Sequence, residues 1–214
     1  MMKRDDNTLR LLLWLVMAAL AVWLALVASI LCAYGATPAQ DFYAAARGQP
    51  GINAYAATCQ SAVETGYWQS ELWRRAYNGA GIKAPPEWRA AGKPYIRIAS
   101  REYSNGKYIT RESYFRRYGS RAAFLADYAA KIRKDYPYTY KHSDNFLLCF
   151  AGLYRGRLGS WATDRKYFEK LTRMAVRLAP EIFGPAWHDK LLTAYEYARN
   201  ELEPWQREII KGYL

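Results

Sequence analysis

The longest apolar run in the chain lies near its N-terminus, where Leu11 to Ala33 (LLLWLVMAALAVWLALVASILCA) spans 23 residues without a charged side chain. At ~1.5 Å per residue a helix of that length reaches about 35 Å, enough to cross a ~30 Å hydrocarbon layer. Lys3, Arg4 and Arg10 precede the run, and positive flanks stay cytoplasmic. The expectation is a cytoplasmic N-terminus at 1–10, a single-pass anchor at 11–33 in the cytoplasmic (inner) membrane, and the remainder on the periplasmic side. Ala33-Tyr34-Gly35 also has the small-x-small form of a signal-peptide cleavage site. A cleaved signal is thus the competing reading, although its apolar core would exceed the usual ~7–15 residues.

Downstream the periodicity changes. An Ala-rich stretch predicts a helix around Ala39–Arg47, and Gly48-Gln49-Pro50-Gly51 breaks it. Asn53 is a fair N-cap for a second helix, on which Tyr55, Cys59, Ala62 and Val63 recur at helical spacing and Glu64 falls near the end. Gly79, Gly81, Pro85, Pro86, Gly92 and Pro94 predict loop over Asn78–Pro94. Tyr95–Ile98 alternates as a strand does, Asn105-Gly106 is a two-residue hairpin signal, and Lys107–Thr110 supplies the returning strand. Four helical stretches follow, at Arg121–Asp135, Asp144–Tyr154, Asp164–Leu178 and Trp187–Leu202, with Asp144 and Asp164 placed as N-caps. Turns are expected at Tyr136-Pro137, Arg155–Ser160 and Ala179–Pro185. The fold class is mainly α (α+β), with one small hairpin.

Composition and charge narrow the function classes. The 214 residues suit one domain with additions, and an aromatic content of 16% excludes a disordered chain. Residues 1–35 carry Lys3, Arg4 and Arg10 against Asp5 and Asp6, so +11 of the formal +12 charge lies beyond them. On an exported domain that charge points to anionic polymers of the cell envelope rather than to nucleic acid. Cys32, Cys59 and Cys149 lack zinc-ligand spacing, and His142 and His188 stand 46 positions apart. No metal or other cofactor is expected.

Two glutamates carry the candidate chemistry. Glycosidic hydrolysis needs one carboxylic acid that stays protonated and one carboxylate that stays ionised. Glu64 lies beside Ala62 and Val63, a setting that favours the protonated form. Glu102 lies on the polar hairpin next to Arg101, which favours the ionised form.

Five ordered blocks give these residues a context: Cys59-Gln-Ser-Ala-Val-Glu64-Thr-Gly-Tyr-Trp, Asn78-Gly-Ala-Gly-Ile-Lys83, Glu102-Tyr-Ser-Asn-Gly106, Phe115-Arg-Arg-Tyr118 and Trp161-Ala-Thr-Asp164. In order and spacing they resemble glycoside hydrolase family 73, the bacterial endo-β-N-acetylglucosaminidases that include the flagellar peptidoglycan hydrolase domain. The resemblance covers about residues 39–178. It implies a lysozyme-like glucosaminidase domain at 37–178, followed by a helical extension at 179–214. It also implies cleavage of peptidoglycan on the reducing side of N-acetylglucosamine, with Glu64 as general acid and Glu102 as base or electrostatic partner. Asn78 and Gly81 fall in the family's loop block beneath the cleft, as substrate-binding or structural positions. Trp161, Tyr67 and Tyr154 are the aromatic candidates for sugar contact.

The chain departs from the family at two places. Trp161 stands where a tyrosine is usual, so either another tyrosine supplies the hydroxyl or catalysis does without it. Ala80 stands where an aromatic is common. A non-catalytic peptidoglycan-binding scaffold and a lytic transglycosylase are the rival functions, and an envelope or secretion-machinery partner stays open. For the two exported thiols, a Cys59–Cys149 bridge and two buried free cysteines are both open readings.

Overall fold

The structure, a computed structural model, describes residues 12–24, 35–104 and 107–214, with the side chains of residues 100–109 and 111 outside the description. It divides into a unit at 1–37 and a unit at 38–214. In the first, residues 12–24 form helix α1, whose apolar side chains are exposed. Residue 11 and residues 25–33 of the expected anchor lie outside the described residues. Among the described residues no helix is long and apolar enough to cross a membrane.

The second unit is built around α3 (Ala54–Glu64). Asn53 caps it, its side chain accepting from the Ala56 amide. Every residue from Tyr55 to Ala62 is buried, as befits a helix enclosed on all sides. Helix α2 (Pro38–Arg47) packs against it. Beyond α3 come α4 (Glu71–Ala76), α5 (Pro86–Ala90), strands β1 (Tyr95–Ser104) and β2 (Lys107–Arg116), then α6 (Arg121–Asp135), α7 (Pro137–Lys141), α8 (Phe146–Gly152), α9 (Tyr167–Phe183), a 3-10 turn at Gly184–Ala186, α10 (Trp187–Ala198) and α11 (Pro204–Lys211). Phe42, Phe124, Phe150 and Phe168 are almost wholly buried, each contributing about 1.5–3 kcal/mol through removal from water.

Several boundaries differ from the sequence expectation, each for a local reason. The 78–94 loop contains α5, started by Pro86 at a position where its missing N–H costs nothing. The hairpin is longer than the alternation suggests, pairing Tyr95 with Arg116 through to Ser104 with Lys107. A two-stranded ribbon buries little of either face, so its outer half carries no period-2 apolar signal. Asn145, not Asp144, caps α8, accepting from the Leu147 and Leu148 amides. Asp164 does not cap α9; its side chain accepts from the Lys166 amide in the turn before it. Helix α9 continues through Pro180 to Phe183 where a turn was expected. Within the expected helical extension, Pro204 opens a separate helix with a Glu203/Gln206 capping box.

Because α9 crosses residue 178, the C-terminal segment is continuous with what precedes it. Leu191, Tyr195, Ala198, Leu202 and Ile210 join the same hydrophobic core as α3 and α8.

Candidate active site

Glu64 is the last residue of α3, and its carboxyl is held from two sides. The Tyr167 hydroxyl donates to Oε1 at 2.6 Å. Oε2 faces Gly81 so closely that a Cβ built there would lie 3.3 Å from it. Burial raises the Glu64 pKa above its ordinary 4.5, opposed by the Tyr167 hydrogen bond and by the charge of Lys170. The C-terminal end of α3 acts in the same direction as burial, since the negative end of the helix dipole disfavours a carboxylate there. The position therefore favours a protonated acid.

Behind the carboxyl runs a buried polar chain. Gln60, one turn earlier on α3, donates from Nε2 to the Tyr167 oxygen at 3.1 Å. Its Oε1 accepts from the Tyr128 hydroxyl at 2.6 Å. Tyr167, at the start of α9, thus brings a hydroxyl to Glu64 from 103 positions away.

After Glu64 the backbone turns sharply. Gly66, Tyr67 and Trp68 have φ of 55°, 59° and 61°, a left-handed run that costs side-chain-bearing residues about 1–2 kcal/mol each. The Trp68 indole repays it by donating to Ser61 Oγ at 2.9 Å and packing 5.4 Å from the Phe42 ring. Strain held directly beside a candidate acid is characteristic of a functional site.

Asn78 is fully buried. Its Nδ2 donates to the carbonyls of Ile82 and Arg116, both at 2.9 Å, and its Oδ1 accepts from the Ile82 amide at 2.9 Å and the Ala80 amide at 3.4 Å. It ties the loop under Glu64 to the base of the hairpin, so of its two expected roles the structure gives the scaffolding one. Gly81, at φ 62°, completes that loop. Gly81→Ala should combine left-handed strain with crowding of Oε2, and is expected to cut turnover about tenfold while lowering melting by only a few degrees, read by paired kinetics and thermal melts.

A groove of ≈ 630 Å³ opens beside Gly81, between the hairpin base and α6, with Trp88 and Trp161 in its walls. Five cations (Lys83, Lys93, Arg116, Lys131, Lys134) and two carboxylates (Glu87, Asp135) line it. Arg116 lies 4.1 Å and Lys93 4.7 Å from the Trp88 ring centre, and Lys131 lies 5.6 Å from that of Trp161. Trp161 packs 5.1 Å from the Tyr136 ring.

The other expected sugar contacts are placed elsewhere. The Tyr154 hydroxyl accepts from the Phe168 amide at 2.7 Å, so Tyr154 serves α9 and not the groove. The Tyr67 hydroxyl donates to Glu181 Oε2 at 3.0 Å, with Arg177 5.2 Å from its ring centre. Neither lines the groove. Glu102 pairs with Ile109 in the hairpin register, and its side chain lies outside the described residues. No Cys59–Cys149 bridge is formed, and both thiols are free and buried. Cys149 Sγ is turned to the His142 carbonyl at 3.3 Å instead.

A sequence model of the mannosyl-glycoprotein endo-beta-N-acetylglucosaminidases matches residues 40–179, well over half of the chain. Among solved structures, a peptidoglycan hydrolase mutant from Sphingomonas sp. A1 is similar at 27% identity and TM-score 0.50, covering 72% of this chain and 94% of that one. The C-terminally truncated glycoside hydrolase domain of FlgJ from Salmonella typhimurium is similar at 26% identity and TM-score 0.47, covering 65% of this chain and 97% of that one. A search of curated protein sequences gave no match. The mainly helical fold with one two-stranded sheet is consistent with a lysozyme-like domain.

Proposed function

The chain belongs to the mannosyl-glycoprotein endo-beta-N-acetylglucosaminidase family and is a glycoside hydrolase, and from that premise we propose that it cleaves the β-1,4 bond between N-acetylglucosamine and N-acetylmuramic acid in peptidoglycan. The observation that carries this reading is Glu64, a carboxyl with raised pKa set between a tyrosine hydroxyl and a glycine at the edge of an open groove. As the bond from the anomeric carbon breaks, the Glu64 proton passes to the leaving oxygen, and water adds to that carbon. Glu102, on the hairpin, supplies the ionised carboxylate that takes the proton from water or balances positive charge on the sugar. Trp161 offers a ring face to a saccharide.

The groove supports an acidic rather than a neutral glycan, because its cations outnumber its carboxylates. Among the described residues, Lys93 and Lys134 have no carboxylate partner within ion-pair distance. The apolar run at 11–33 is what supports a location at the cytoplasmic membrane, with residues 38–214 on the side of the wall.

The purified protein is expected to release reducing ends from peptidoglycan and none from a mannosylated glycoprotein. Release from the glycoprotein alone would refute the assignment. Replacing both Lys93 and Lys134 by Ala should raise KM for peptidoglycan about three- to tenfold at low salt with kcat unchanged, and added salt should erase the difference.

A further inference from the structure

Gln60 is 1% exposed and touches no substrate-facing surface, yet it sits at the centre of the chain that ends on Glu64. Its amide has two possible orientations, and the distances select one. The contact to Tyr128 is 2.6 Å and the contact to Tyr167 is 3.1 Å. O–H···O bonds run to ~2.5–3.0 Å and N–H···O bonds to ~2.7–3.2 Å, so the oxygen of Gln60 faces Tyr128 and its nitrogen faces Tyr167. A phenol has a single proton. With the amide donating to the Tyr167 oxygen, the Tyr167 proton is left for its 2.6 Å bond to Glu64 Oε1.

We infer that Gln60 is a positioning residue that, through Tyr167, confines the catalytic proton of Glu64 to Oε2, the oxygen that faces Gly81, itself a residue of the groove wall. The inference rests on the reading of Glu64 as the acid. A carboxylic acid has one proton, and a proton on Oε1 would meet the Tyr167 proton head-on. In the opposite polarity, Glu64 would donate from Oε1 to Tyr167, Tyr167 to the Gln60 oxygen, and the Gln60 nitrogen to Tyr128. That arrangement buries the acid proton away from the leaving oxygen. Tyr128, 4% exposed and with its hydroxyl on Gln60 Oε1, is the lock against it.

The test combines kinetics with infrared spectroscopy. Tyr128→Phe frees the amide to turn over and Gln60→Met removes it. Each is expected to lower kcat about five- to tenfold with KM unchanged, a part of the ~10²–10⁴-fold that a positioned acid supplies. The double variant should be no slower than Gln60→Met alone, because the two act through one chain. Multiplying effects, or a loss expressed in KM, would overturn the proposal.

The carbonyl stretch of protonated Glu64, assigned by subtracting the Glu64→Gln spectrum, gives a readout that needs no turnover. Tyr167→Phe should move it to higher frequency, since the carbonyl oxygen Oε1 loses an accepted hydrogen bond. An unmoved band would overturn the proposal even if Gln60→Met failed to fold. Activity retained by Glu64→Gln would instead defeat the acid assignment itself, so the two failures are distinguishable.

Discussion

Glu64→Gln is expected to abolish turnover and yet give a protein that is more stable than the parent at neutral pH. The loss in kcat should be about 10²–10⁴-fold, the usual worth of a positioned general acid, with substrate binding retained. The Gln carbonyl can still accept from Tyr167, so the local packing survives. The stability gain follows from linkage. The native pKa of Glu64 lies above its ordinary 4.5 because burial penalises the charged form. The folded state therefore holds that proton more tightly than the unfolded chain does. Stability from this source is complete below the unfolded pKa and is lost as pH rises through the native value. Gln does not titrate, so its advantage should be absent at pH 4, grow across that window and then level off. Thermal melts of both proteins across the range measure it. The same shift places the alkaline limb of the parent's activity above the pH at which an exposed glutamate would set it.

The second large effect is one of architecture. Asn78→Ala removes four hydrogen bonds from a fully buried position and leaves the Ile82 and Arg116 carbonyls and the Ile82 and Ala80 amides without those partners. A buried polar group left unpaired costs about 1–3 kcal/mol, and relaxation will recover part of it. The expected loss is at least about 3 kcal/mol, a fall in melting temperature of roughly 6–12 °C for a domain of this size. The ties that remain at the hairpin base include the Arg116 amide on the Ile82 carbonyl, the Ala84 amide on the Tyr114 carbonyl and the Arg116 guanidinium on Asp127. Activity should therefore fall before global unfolding, as Gly81 and β2 lose their common anchor. Activity and a fluorescence melt, followed together on the same sample, would show the two transitions separate. Coincident transitions would mean that Asn78 stabilises the whole unit rather than this loop.

The acid helix was legible because its signals are local. The Asn53 cap and the apolar spacing of Tyr55, Cys59, Ala62 and Val63 lie within one short stretch. The same holds for α6, whose bounds Arg121–Asp135 match the expectation and whose Ser120 cap accepts from the Ala123 amide. What sequence reasoning missed is long-range. Tyr167 reaches the carboxyl from α9 and Tyr128 reaches Gln60 from α6, and no spacing rule connects either of them to Glu64. Gln60 did carry a signal: it stands four residues before Glu64, on the same helix face, and an amide buried there needs partners. Asn78 was open between two roles, because a polar residue in a Gly-rich loop under a cleft can serve a ligand or the backbone, and only its partners, which are backbone groups, show what it ties together. Pro180 misled, because packing of Leu178 and Ala179 into the core holds α9 together across it.

Mass spectrometry of the fragments released from purified peptidoglycan tests the proposed reaction most directly. Hydrolysis by the parent protein should leave N-acetylglucosamine at the reducing ends with one added water, and Glu64→Gln should release nothing. Anhydro-N-acetylmuramic acid ends, or undiminished release by Glu64→Gln, would contradict it.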